Sequence, residues 1–134
     1  MSKEPGGVPK PRRRTPSLQW KSRHAEESVA NRLRKQGYQI VARNWRHRLG
    51  ELDIVARSGN TLAIVEVKAR RGAEEGTGLA AVDCRKRTRL IGLARAFLAA
   101  QHLEGIQVRF DVAEVELDQA GFPRAVRYVE DAFQ

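Results

Sequence analysis

Gly50-Glu51-Leu52-Asp53-Ile54-Val55-Ala56-Arg57-Ser58-Gly59-Asn60-Thr61-Leu62-Ala63-Ile64-Val65-Glu66-Val67-Lys68 reads as two β-strands folded back on each other. Two runs rich in apolar and β-branched residues, Glu51 to Ser58 and Thr61 to Ala69, flank Gly59-Asn60, a dipeptide that tolerates the positive φ of a two-residue hairpin turn. If the hairpin closes there, Ser58 faces Thr61, and the same register sets Asp53 opposite Glu66 and Glu51 opposite Lys68. Side chains alternate between faces, so these four polar groups are expected on one face and Leu52, Ile54, Val65 and Val67 on the other. Directly opposed residues have Cβ atoms about 4.5 to 5.5 Å apart, and two carboxylates held that close repel unless a cation lies between them.

Oxygen ligands without a histidine select a hard ion, Mg²⁺ or Mn²⁺, over zinc. Such an ion polarises a phosphoryl oxygen and acidifies a bound water, and Lys68 beside it could orient that water or stabilise developing charge. The chemistry implied is phosphodiester hydrolysis. The alternative is an ordinary solvated strand face, with Glu51 and Lys68 a surface ion pair worth little. Two features weigh against it: Glu66 lies inside the apolar run from Leu62 to Val67, and the acids fall in register. A one-residue bulge or a three-residue turn would set Asp53 opposite Val65 instead.

Outward from the hairpin, Leu18 to Gln36 has helical periodicity, with Val29, Ala30 and Leu33 on one face and Gly37 where a helix stops. Tyr38 to Arg46 alternates as a strand. Arg71 to Gly78 is a Gly- and Glu-rich loop, and Ala80 to His102 is a second helix with Leu90, Leu93, Phe97, Ala94 and Leu98 as its apolar positions. Strands follow at Ile106 to Leu117 and, more briefly, at Ala125 to Val129. The order α-β-β-β-α-β-β predicts an α/β fold: a mixed central β-sheet flanked by helices, with the long helical crossover permitting a parallel neighbour. Glu26 shares a helical face with Ala30 and Leu33, and Lys86 extends the stripe of Leu90, Leu93 and Phe97 backward, so both are expected to point inward, as site residues or as snorkelling side chains.

The 134 residues fit one domain, Leu18 to Gln134, behind a basic tail at 1–17 that holds four of the five prolines and Lys10-Pro11-Arg12-Arg13-Arg14, and reads as disordered. No apolar run is long enough to span a bilayer, and the basic N-terminus lacks the apolar segment of a secretory signal. The single cysteine, Cys84, excludes an internal disulfide and a cysteine-based zinc site, so a cytoplasmic location is expected. Lys and Arg number 25 against 16 Asp and Glu, a formal charge of +9, which favours a polyanionic partner such as nucleic acid over a merely soluble basic surface. His24, His47 and His102 have no mutual spacing of a metal cluster. Trp20, Trp45 and Tyr38 could stack on bases, although core packing is the expected use of at least two of them.

Glu26 with its helix to Gly37-Tyr38, Arg43-Asn44-Trp45-Arg46, Gly50 to Ala56, Val65-Glu66-Val67-Lys68-Ala69-Arg70, Lys86 and Arg109-Phe110-Asp111-Val112 together resemble the YraN family of bacterial proteins, over about Trp20 to Phe133. That family is similar to the PD-(D/E)xK nucleases of restriction-endonuclease-like fold, near the Holliday-junction resolvases, and is described as a predicted endonuclease of unestablished substrate. The resemblance implies Asp53 as the first metal-binding acid, Glu66 and Lys68 as the (D/E)xK pair, Glu26 as the helix glutamate that joins the metal, and Lys86 as the basic residue of the following helix. It implies Mg²⁺ or Mn²⁺ as cofactor, DNA, branched DNA included, as substrate, and by analogy a homodimer. This chain departs from the pattern at Ala25, where a glycine commonly precedes the helix acid, and at Asp83-Cys84. The readings that follow are a divalent-metal-dependent endonuclease, a non-catalytic nucleic-acid-binding module that retains the nuclease fold, and a protein whose basic face contacts an acidic partner.

Overall fold

The computed structural model describes residues 16–71 and 84–133, with side chains from Arg23 onward. The elements are α1 (Pro16–Lys35), β1 (Gln39–His47), β2 (Gly50–Ser58), β3 (Thr61–Arg71), α2 (Cys84–Gln101), β4 (Gln107–Leu117) and β5 (Pro123–Phe133). All five strands form one sheet whose spatial order is the chain order. Neighbours joined by short turns run antiparallel, and β4 returns parallel to β3 because α2 carries the chain back between them. The α/β architecture and element order are those expected from the periodicities.

α1 begins at Pro16, two residues ahead of the expected start, where a proline costs nothing because the first-turn N–H groups have no intrahelical acceptor. It closes at Gly37, whose φ of +94° suits a residue without Cβ, and Tyr38 N–H reaches back to Leu33 O at 3.0 Å. The last strand spans 11 residues rather than the five of its apolar stretch. As an edge strand it pairs only with β4, so its solvated residues, such as Arg124, Arg127 and Glu130, hide it from a hydrophobicity reading. The tail at 1–15, the loop from Gly72 and the expected helical start at Ala80 to Asp83 lie outside the described residues. No helix among the described residues is long and apolar enough to cross a membrane.

The helices cover opposite faces of the sheet. On one, Leu90, Leu93, Ala94 and Phe97 of α2 pack on Leu52, Val55, Leu62, Ile64, Phe110, Val112 and Phe133. On the other, Ala25, Val29, Ala30 and Leu33 of α1 pack on Ile54, Ala56, Ala63, Val65, Ala113, Val115 and Leu117. Burying an aliphatic side chain of this size stabilises by about 1.5–3 kcal/mol, so these two layers hold the sheet between the helices. One buried polar network belongs to this scaffold. Asp111, 1% exposed, accepts from Arg109 Nε and Nη2, from the Tyr128 hydroxyl and from Asp131 N–H, while Arg109 Nη2 also donates to Tyr38 Oη. The hydrogen bond to Asp111 holds the Arg109 guanidinium far above its usual range, and burial with the same carboxylate raises the Tyr128 hydroxyl.

Candidate active site

The hairpin register expected from Gly59-Asn60 holds from Ser58↔Thr61 through Ile54↔Val65, and there the ladder stops. Beyond it β2 leaves β3, and the Asp53 carboxylate takes the place of a backbone partner by accepting Val67 N–H at 2.8 Å. Asp53 and Glu66 therefore meet across a splay in the sheet and not as a paired rung. The cause lies on the other side of β2. In β1, Asn44 adopts φ +50°, and Ala42 and Trp45, three residues apart, both pack on the α2 layer. Their partners Val55 and Leu52 break alternation in step. Leu52 consequently faces α2 while Ile54 faces α1, which corrects the expectation that they share a face.

The splay opens a cleft of about 210 Å³ lined by Glu51, Asp53, Glu66, Lys86, Arg89, Leu90 and Leu93. Glu66 is 9% exposed and receives the Lys86 ammonium at 2.6 Å. Burial, then repulsion from Glu66, pushes the Asp53 carboxyl up to about 8, against the single hydrogen bond from Val67. Burial would lower Lys86, but its hydrogen bond to Glu66 and that carboxylate's charge outweigh this and hold it above the usual lysine range. Lys68 goes the other way: burial first, then the charge of Lys86, lowers it. Two lysines thus face two acids, one firmly charged and one nearer to giving up its proton.

Glu26 points inward as its helical spacing predicts, and Asn44 Nδ2 donates to its two carboxylate oxygens at 3.0 and 3.1 Å. Burial raises its pKa, partly opposed by the Asn44 amide and Arg43. Beside it Arg43 grips Glu27 at 2.6 Å, so adjacent residues of β1 clamp adjacent residues of α1. Among the described residues, no three His, Cys, Asp or Glu side chains lie close enough together to hold a metal ion. Glu26, the third acid implied by the resemblance, is not among the residues lining the cleft, and its charge helps to raise Asp53. A hard ion with few protein ligands still fits, because Mg²⁺ commonly takes one or two carboxylates and fills its octahedron with water and phosphate. The donor set agrees, since Asp53 and Glu66 are an acid pair whose repulsion a cation would relieve.

Glu51 pairs with Arg46, 3.8 Å away, and not with Lys68. Asn44 and Arg89 were not read from the residues as parts of the site. Arg89 was findable, since it lies one helical turn beyond Lys86 on the same face. Asn44 carries no signal in a β alternation, because its role arises from a backbone conformation. No histidine lines the cleft: His47 stacks on Trp45, which in turn packs edge-on against Phe97.

The profile of UPF0102, an uncharacterised protein family, matches residues 25–115, a span that contains Glu26, Asp53, Glu66, Lys68 and Lys86. The chain belongs to the UPF0102 family. A UPF0102 protein of Nocardia farcinica is 52% identical over 92 residues, covering 69% of this chain and 72% of its own length. Another from Symbiobacterium thermophilum is 44% identical over 81% of this chain and 91% of the relative. One from Pseudomonas aeruginosa is 39% identical over 84% and 91%. The UPF0102 match bears out the resemblance to the YraN family, and it begins beside Glu26 at the very point where α1 meets the clamp from β1.

Proposed function

We propose that this protein is a divalent-metal-dependent nuclease acting on DNA. The observation that carries the reading is the placement of Asp53 and Glu66 together in a cleft with Lys86, and with Lys68 close enough to feel both acids, where burial and then repulsion from Glu66 raise Asp53 to about 8. Asp53 and Glu66 would hold one hard ion, which when bound supplies Lewis acidity toward a phosphoryl oxygen and an acidified water. Lys68, which burial lowers below its usual range, would orient the attacking water and take up or return its proton. Lys86 and Arg89 carry positive charge at the rim, where the scissile phosphate would lie and negative charge would develop. The excess of 25 Lys and Arg over 16 acids supports a polyanionic substrate.

A second reading has one observation in its favour. The tight Glu66–Lys86 ion pair, which already neutralises one of the two acids, also suits a module that binds nucleic acid and leaves it intact. Calorimetric titration with Mn²⁺ separates the two, paired with cleavage of linear and branched DNA in Mg²⁺ or Mn²⁺. The nuclease reading expects Mn²⁺ binding that disappears in Glu66→Gln and Asp53→Asn, and cleavage that disappears with it. Unchanged cleavage in Asp53→Asn removes the assignment, and DNA binding without Mn²⁺ uptake favours the second reading.

A further inference from the structure

The turn between β1 and β2 is two residues long, Arg48-Leu49, a position where Gly, Asn and Asp prevail. Leu49 stands 46% exposed at its tip. It is not a loose loop residue. Leu49 N–H donates to His47 Nδ1 at 3.1 Å, and His47 is stacked on Trp45. Its Cδ1 rests over Gly92 of α2, 3.3 Å from where a Cβ would be, so this glycine inside a helix makes the seat. The next residue, Gly50, has φ +144° and lies against Arg89 and Leu93, both of which line the cleft. A half-exposed apolar tip thus stands next to the cleft, with Arg46 and Arg48 neighbouring it in the chain and Arg89 packed against the adjoining Gly50. Four residues of strand separate it from Asp53, about 13 Å, or close to four base-pair rises of duplex.

We propose that Leu49 is a wedge that enters a base step of the bound DNA and unstacks it, while Arg46, Arg48 and Arg89 hold the flanking phosphates. The inference rests on the nucleic-acid reading above and sharpens it to a substrate class: duplexes with a weakened step, such as a mismatch, fork or branch, where unstacking costs least. Proteins that kink DNA insert leucine and similar side chains in this way, and the cost of unstacking is a few kcal/mol per step. An aliphatic tip among arginines suits that task, since the cations draw in the backbone and the apolar group enters the stack that water leaves.

The test uses the full chain in EDTA, so that no cutting intervenes, and a duplex with 2-aminopurine beside a single mismatch, labelled at one end. Anisotropy of the end label reports binding, and 2-aminopurine fluorescence reports unstacking. Wild type is expected to raise the fluorescence severalfold at saturation. Leu49→Ala should abolish that rise while changing affinity by less than about threefold, and Leu49→Met should restore it. Arg48→Ala should weaken binding to matched and mismatched duplexes alike. A rise of equal size in Leu49→Ala, or no rise in saturated wild type, overturns the wedge and leaves the nuclease reading untouched. No anisotropy change in wild type, in EDTA and again with Mn²⁺ present, overturns both.

Discussion

At the scale of single residues, Asp53, on which the proposed chemistry rests, also carries a cost. Its carboxyl moves from 3.8 to about 8 on folding, chiefly by burial and then by repulsion from Glu66. Between those values the folded form holds a proton that the unfolded form has released, so stability present at low pH is lost as pH rises toward the folded pKa. In chelator, the melting temperature of the wild type is therefore expected to fall between about pH 4 and pH 8 more steeply than that of Asp53→Asn. Calorimetry over that range checks it, with the variant melting higher than wild type near pH 8. Coincident profiles would mean that Asp53 is solvated and has no need of a cation. Mn²⁺ should stabilise the wild type most at the upper end of the range, because a metal ion competes with the proton for the same oxygens.

Between elements, what could be read from the sequence and what could not divide at Ile54. The hairpin register from Ser58 to Ile54 was legible because a two-residue turn and a period of two leave one pairing that buries Val65 and Ile64. The splay at Asp53 was not, because it depends on a third strand: the left-handed backbone of Asn44 in β1 shifts which residues of β1 and β2 face α2. Asparagine tolerates that conformation, and its amide then reaches Glu26 on α1. The same lesson explains Glu26. Its inward direction followed from helical spacing, whereas its hydrogen-bond partner, the Asn44 amide on β1, could not be read from α1 alone. Asn44→Gly keeps the backbone permissive and loses only the clamp, at about 1–2 kcal/mol. Asn44→Ala loses the clamp and adds left-handed strain, so it should be less stable than the glycine variant by about 1 kcal/mol. Urea denaturation with unchanged m values is the measurement; an alanine variant as stable as the glycine one would show that residue 44 is not held left-handed.

Across the whole molecule, a fully buried acid and a half-buried one have opposite duties. Asp111 answers Arg109, Tyr128 and the Asp131 amide, and so ties β4 to β5 and, through Tyr38, to the end of α1. Asp53 has one backbone donor and faces another carboxylate. Arg109-Phe110-Asp111-Val112 and Asp53 belong to the same run of motifs in the sequence, yet the first is scaffold and the second lines the cleft. Their variants should separate accordingly. Asp111→Asn leaves the Arg109 charge without its partner and is expected to lower stability by about 3 kcal/mol, while the folded fraction still takes up Mn²⁺ with wild-type affinity. Asp53→Asn is expected to lose Mn²⁺ binding without loss of stability in metal-free buffer, because the amide replaces a carboxyl that folding already forces toward its neutral form. Thermal melts and calorimetric titration on both variants make the comparison. A Mn²⁺ affinity that fell in both alike would mean that the sheet transmits the state of the Asp111 network to the cleft, and that the two acids form one cooperative unit.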